Sequence, residues 1–93
     1  LIRLFPDYGR DWPLWENSTP ERQTDYTTTP EDYGLSPELT GRLAAWNRFW
    51  ETHSGADGWD DDASEAQWRL EGERIAAQLR REVAGFADVS YEP

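Results

Sequence analysis

The sequence predicts an α+β domain, an antiparallel αα-hairpin packed against a small sheet formed by N- and C-terminal strands. Three observations predict it. Apolar residues recur at helical spacing in two stretches between Ser36 and Phe86. Ile2 and Leu4 alternate with Leu1, Arg3 and Phe5 near one end. Ala87, Val89 and Tyr91 alternate with Asp88, Ser90 and Glu92 near the other. Steps of three and four keep side chains on one helix face, and steps of two keep them on one strand face. The 93 residues read as one domain. Residues 1–35 supply a strand and an irregular cover, 36–86 the helical hairpin and 87–93 the last strand, in the order β-cover-α-α-β.

The first helix has a clear start. Ser36 can cap it through its hydroxyl, and Pro37 occupies the first helical position, where a missing N–H costs nothing. Glu38 puts negative charge at the positive end of the helix dipole. Leu39, Leu43, Trp46 and Trp50 form the buried stripe, widened by Phe49. Trp46 and Trp50 are therefore expected between the helices. Arg42 lies one turn beyond Glu38, as an i,i+4 ion pair. Gly55 is the expected stop. The second helix starts between Asp60 and Ser64, where Asp62 with Glu65 and Ser64 with Gln67 compete as capping boxes. Its stripe runs Trp68, Gly72, Ile75, Ala76, Leu79 and Val83, with Arg80 and Arg81 in the last turn and Gly85 after it. Glycine inside a helix costs roughly 0.5–1 kcal/mol relative to alanine. Close approach of an indole from the first helix would account for Gly72.

The N-terminal third is less regular. Pro6-Asp7-Tyr8-Gly9 is a turn signal. Trp12-Pro13-Leu14-Trp15 is short and interrupted by proline, so it reads as an edge strand or an extended cover. Asn17 to Asp25 is polar loop. Tyr26 to Thr29 can form a short strand. Thr29 and Pro30 open one helical turn that Gly34 closes. The last strand, 87–93, finds its simplest partner in Leu1 to Phe5.

Composition narrows function. The net charge is −10, so the chain lacks the basic footprint that direct nucleic-acid binding needs. It favours a basic protein partner. There is no cysteine, which removes thiol chemistry and cysteine metal sites. No apolar run approaches a membrane span and no signal peptide is visible, so the expected location is cytoplasmic. No cofactor motif is present. All nine basic residues are arginine, the mark of a GC-rich genome.

The acidity has one dense knot, Asp57, Asp60, Asp61, Asp62 and Glu65. These acids do not alternate around a glycine as a calcium loop requires, so they read as charge decorating a helix N-terminus. His53, the one histidine, has no nucleophile beside it and reads as a solvated or capping residue. No pair of carboxylates stands out for acid–base work. The tryptophans are the better lead, because Trp is enriched at interface hot spots. Trp12, Trp15 and Trp59 lie outside the helical stripes. Each can serve as a partner contact or seal the core.

The pattern Trp12-Pro13-Leu14-Trp15, then Gly34-Leu35-Ser36-Pro37-Glu38-Leu39 with Leu43 and Trp46, and later Glu71-Gly72 before Ile75 and Leu79, resembles small acidic proteins of GC-rich, actinobacterial-type genomes. The resemblance spans most of the chain, implies a free-standing domain and brings no activity with it. The expected function is that of a non-enzymatic protein-binding module, in one version an immunity-type inhibitor of a basic toxin or enzyme. A DNA-mimicking inhibitor and a small enzyme with a carboxylate site are the alternatives. The expected partner surface is the Asp57–Glu65 knot around Trp59, with Trp12 and Trp15 as further contacts.

Overall fold

A computed structural model describes residues 1–93. Its main sheet has four strands in the order β3-β2-β1-β6: Ile2–Leu4 (β1), Leu14–Glu16 (β2), Tyr26–Thr27 (β3) and Val89–Tyr91 (β6). Strand β1 runs antiparallel to β2 and parallel to β6, with Leu4 opposite both Leu14 and Tyr91. Two helices cover one face, Pro37–His53 (α1) and Asp62–Glu82 (α2). The alternation at the two ends thus builds the expected sheet, and the domain is α+β.

Pairing of β1 with β6 joins segments about as far apart as the chain allows, and side-chain period explains why it holds. Ile2 and Leu4 are fully buried on the helix side, where they meet Leu14, Leu39, Leu43, Ile75, Leu79 and Val83 in one core. The other face carries Arg3, which forks onto the Glu92 carboxylate at 2.8 and 3.0 Å. Trp15 lies on that face too, stacked on Phe5 at 4.8 Å between ring centres.

Helix α1 starts as its sequence predicts: the Ser36 hydroxyl accepts from the Leu39 amide at 3.1 Å. Glu82, from the far end of α2, accepts from the Ser36 amide and hydroxyl, both at 2.7 Å. The two helices are therefore tied end to end. Burial pushes the Glu82 carboxyl up, but the Ser36 hydroxyl and amide and the Gln78 side chain outweigh it, and the group sits below the usual carboxylate range. Midway, Arg42 donates to Glu71 on α2 at 3.1 Å and to Gln78 at 2.7 Å. It bridges the helices instead of pairing with Glu38: its Nε and Nη2 grip the Glu71 carboxylate while its Nη1 reaches Gln78, so one guanidinium meets two residues of α2.

The indoles of Trp46 and Trp68 lock the middle of the hairpin. Their rings stack 4.4 Å apart and 4° from parallel. Each ring N–H donates to the other residue's carbonyl, at 2.8 and 3.2 Å. Gly72 lies under this pair. A Cβ there would come within 2.8 Å of Trp46 and 2.2 Å of the Tyr91 hydroxyl. The close approach expected at Gly72 is present, and Tyr91 shares it.

Several expectations need correction. Leu14–Trp15 belongs to an inner strand, neither an edge nor a cover. Pro13 precedes the strand by one residue, so its missing N–H breaks no ladder, and its carbonyl still accepts from Phe5 at 3.1 Å. Trp50 is only half-buried and packs on Tyr8 at 4.6 Å, while Trp46, stacked on Trp68, is buried between the helices. Asp61 caps α2, ahead of both competing boxes. The helices stop at His53 and Glu82, and Gly55 enters a two-stranded ribbon, Ser54–Gly55 (β4) with Gly58–Trp59 (β5). Gly58 takes φ 90°, which suits glycine in such a tight turn.

Candidate functional site

The β4–β5 ribbon forms the tip of the helical hairpin and carries the acid knot. Its two-residue turn, Ala56-Asp57, projects Asp57 into solvent. Returning along β5, the chain brings Trp59 back over the helices. The indole is half-buried, 5.3 Å from Trp68 and 6.4 Å from Phe49 between ring centres. It extends the stacked Trp46–Trp68 pair toward the tip. His53, the last residue of α1, closes the base of the ribbon: its carbonyl accepts from the Asp60 amide at 2.9 Å. Its Nδ1 lies 2.7 Å from the Asp60 carboxylate. The histidine therefore has a structural partner.

Around Trp59 the acids differ in their duties. Asp57, Asp60, Asp61 and Asp62 are exposed. Asp61 accepts from the Ser64 amide at 2.6 Å. That amide and the Ser64 hydroxyl hold its carboxyl below the usual range. Glu65, half-buried, takes two hydrogen bonds from Arg69 one turn on, at 3.0 and 3.1 Å. The Asp57 and Asp62 side chains, both exposed, accept no hydrogen bond within the chain. No group of three or more acidic or histidine side chains converges as metal ligands would. The tip offers spread negative charge beside a flat apolar ring.

Trp12 and Trp15 lie elsewhere. Trp12, half-buried, packs on α1 beside Ala44, Asn47 and Glu51 in a shallow cleft. The Asn47 side chain donates to the Arg10 carbonyl at 3.0 Å and holds that segment down. Trp15 is 6% exposed. Its ring N–H donates to the Phe5 carbonyl at 2.8 Å, and Tyr26 packs against it, tilted, at 5.2 Å between ring centres. The three tryptophans therefore do not form one surface.

A second site has no counterpart in the sequence reading. The loop after β2 and the turn Pro30–Tyr33 enclose a polar cleft of about 360 Å³. Glu16, 4% exposed, lines it. The Tyr33 hydroxyl meets a Glu16 carboxylate oxygen at 3.1 Å and the Thr28 hydroxyl at 3.0 Å. A carboxylate cannot donate, so Tyr33 donates to Glu16 and Thr28 to Tyr33. Burial raises the Tyr33 phenol far above its ordinary value, so it stays a donor. No local pattern marks Glu16, whose side-chain partners Tyr33, Leu1 and Arg22 lie 17, 15 and 6 residues away along the chain.

Both sites carry exposed or partly hydrogen-bonded carboxylate oxygens. No curated protein matches the chain at a significant level. A protein family does match, along the full length of the α+β domain. Residues 1–93 fit the family described as Serratia CdiI immunity protein-like, and the chain belongs to that family.

Proposed function

We propose that this protein neutralises a basic toxin by binding it without catalysis, and that the toxin docks on the Asp57–Glu65 tip around Trp59. Membership of an immunity-protein family along the whole chain supports the first part, binding of a toxin, and the net charge of −10 supports a basic one. The placement of Trp59 carries the second. A half-buried indole is held rigidly by Phe49 and Trp68 while exposed aspartates stand around it. Rigid aromatic anchors lose little conformational entropy on binding. The surrounding charge steers encounter, since the chain carries a net −10. Trp12 offers a second contact along α1, and Trp15 supports the sheet beneath it. The encounter takes place in the cytoplasm.

The two parts of the tip act on different rate constants. With the toxin captured by affinity pull-down from the native host, stopped-flow mixing separates them. Trp59→Ala is expected to speed dissociation, and Asp60/Asp61/Asp62→Asn to slow association. Association of the parent protein should also slow as salt rises, because exposed charges are screened beyond about 10 Å at 0.1 M. If neither variant changes either rate constant, the docking surface lies elsewhere and the knot only caps a helix.

A further inference from the structure

Glu16 poses a problem in elementary electrostatics. It sits on an inner strand and is 4% exposed. Desolvating a carboxylate costs several kcal/mol unless charged and hydrogen-bonding partners compensate, and a carboxylate can accept about four hydrogen bonds. Its Oε1 has the Tyr33 hydroxyl at 3.1 Å. Its Oε2 has only the Arg22 Nε at 3.5 Å and the Leu1 nitrogen at 3.6 Å. Both distances lie outside the usual hydrogen-bond range of about 2.7–3.2 Å. Arg22 is drawn the other way: its guanidinium lies over the Phe86 ring at 4.8 Å and donates to the Phe86 carbonyl at 3.4 Å. The best-buried carboxylate of the chain thus keeps acceptor capacity on a cleft it lines.

The rest of the cleft fits one kind of occupant. Its walls are almost wholly polar, so it does not suit an apolar ligand. Asp25 and Asp32 add two carboxylates, against Arg22 as the one cation, and Thr28 adds a hydroxyl. Asp25 makes no hydrogen bond within the chain. Acceptors on several walls call for a donor that reaches in several directions at once. Guanidinium presents five N–H groups in a rigid fork, and it gives up its hydration more readily than an ammonium. We propose that this cleft is a receptor for a guanidinium group, carried on an arginine side chain of the protein partner. Recognition of guanidinium stands on the cleft alone, and only the source of the arginine rests on the toxin-binding reading. The cleft adjoins the start of α1 and the knot its end, about 25 Å apart at 1.5 Å per residue, so the toxin would touch both ends of the hairpin.

The experiment is a titration of ¹⁵N-labelled protein with L-argininamide, with citrullinamide as the uncharged counterpart. Argininamide should give saturable amide shifts confined to Thr24, Thr27, Thr28, Tyr33 and their neighbours, with Kd on the order of millimolar. Citrullinamide should give none. Glu16→Gln should weaken binding about tenfold or more, since the amide no longer attracts a cation. Asp25→Asn, which leaves every internal hydrogen bond in place, should weaken it about threefold at low salt. It decides the matter if Glu16→Gln does not fold. Absence of saturable shifts, an equal response to citrullinamide, or unchanged affinity in the folded variants overturns the receptor. Toxin bound to the parent protein should abolish the argininamide shifts, and shifts that persist in that complex overturn the partner arginine as occupant. Failure of the Trp59 and aspartate variants to alter toxin binding leaves these readouts unaffected, so the two readings fail separately.

Discussion

Replacing Gly72 by alanine sets two known effects against each other. On an open helix face the change stabilises by about 1 kcal/mol, the difference in helix propensity. Here the new methyl would stand 2.2 Å from the Tyr91 hydroxyl oxygen, 2.6 Å from its ring and 2.8 Å from the Trp46 ring. Trp46 cannot yield easily, because stacking and two reciprocal hydrogen bonds fix it against Trp68. Tyr91 must therefore move, and it gives up its hydrogen bond to the Arg69 carbonyl. That bond is worth about 1 kcal/mol, and forcing a methyl into a packed contact costs roughly 1–3 kcal/mol. After subtracting the propensity gain, the net loss should be about 1–3 kcal/mol, at roughly 4–8 °C in Tm per kcal/mol for a domain this size. Urea unfolding followed by tryptophan fluorescence measures it. In a Tyr91→Ala background the penalty should shrink, since only the Trp46 contact remains. A Gly72→Ala protein more stable than its parent would show that the contact is loose and the reasoning wrong.

Three further outcomes follow from the packing. Trp46→Ala should cost about 3–5 kcal/mol, whereas Trp50→Ala, half-buried against Tyr8, should cost less than half as much; equal denaturant midpoints would place both indoles in one environment. Glu82 titrates below its ordinary value, so its contribution is complete above the unfolded carboxyl pKa of 4.5 and is lost as pH falls through the folded value. Glu82→Gln should therefore lower stability at neutral pH and flatten the acid limb of the stability curve, and parallel curves for the two proteins would deny the link to Ser36. Burial pushes the Tyr91 phenol up to about 12. The stability it lends should be complete below pH 10 and fall away between 10 and 12, a loss that Tyr91→Phe should lessen in alkaline melts.

Elements governed by short-range periodicity were legible in the sequence. Ser36 and Pro37 set the start of α1 through groups within one turn, and the leucine stripe sets its buried face. The end strands were legible because Ile2, Leu4, Val89 and Tyr91 alternate strictly. Apart from the Asp61 cap and the Gly55–Gly58 ribbon, which are local, the failures depended on contacts between separate elements of the fold. Arg42 chose Glu71 over Glu38 only because α2 packs alongside. Leu14–Glu16 became an inner strand because β1 and β3 pair with it on both sides, which a nearby proline disguised. Glu16 is ordinary until Tyr33 and Arg22 fold over it. For the acid knot, residue identity revealed the charge, and only the ribbon geometry showed that Trp59 lies back on Trp68 while Asp57 points away.

The stacked Trp46–Trp68 pair gives the molecule an optical readout of its own. Two indoles with near-parallel planes at 4.4 Å couple electronically, so their near-ultraviolet circular dichroism reports whether α1 and α2 are closed on each other. Trp59, tilted by 49° at 5.3 Å from Trp68, is close enough to exchange excitation energy with the pair. A protein that covers Trp59 would change the emission of the pair without touching either of its rings. Docking at the tip and opening of the hairpin can therefore be followed separately, one by emission and the other by dichroism, with no label attached.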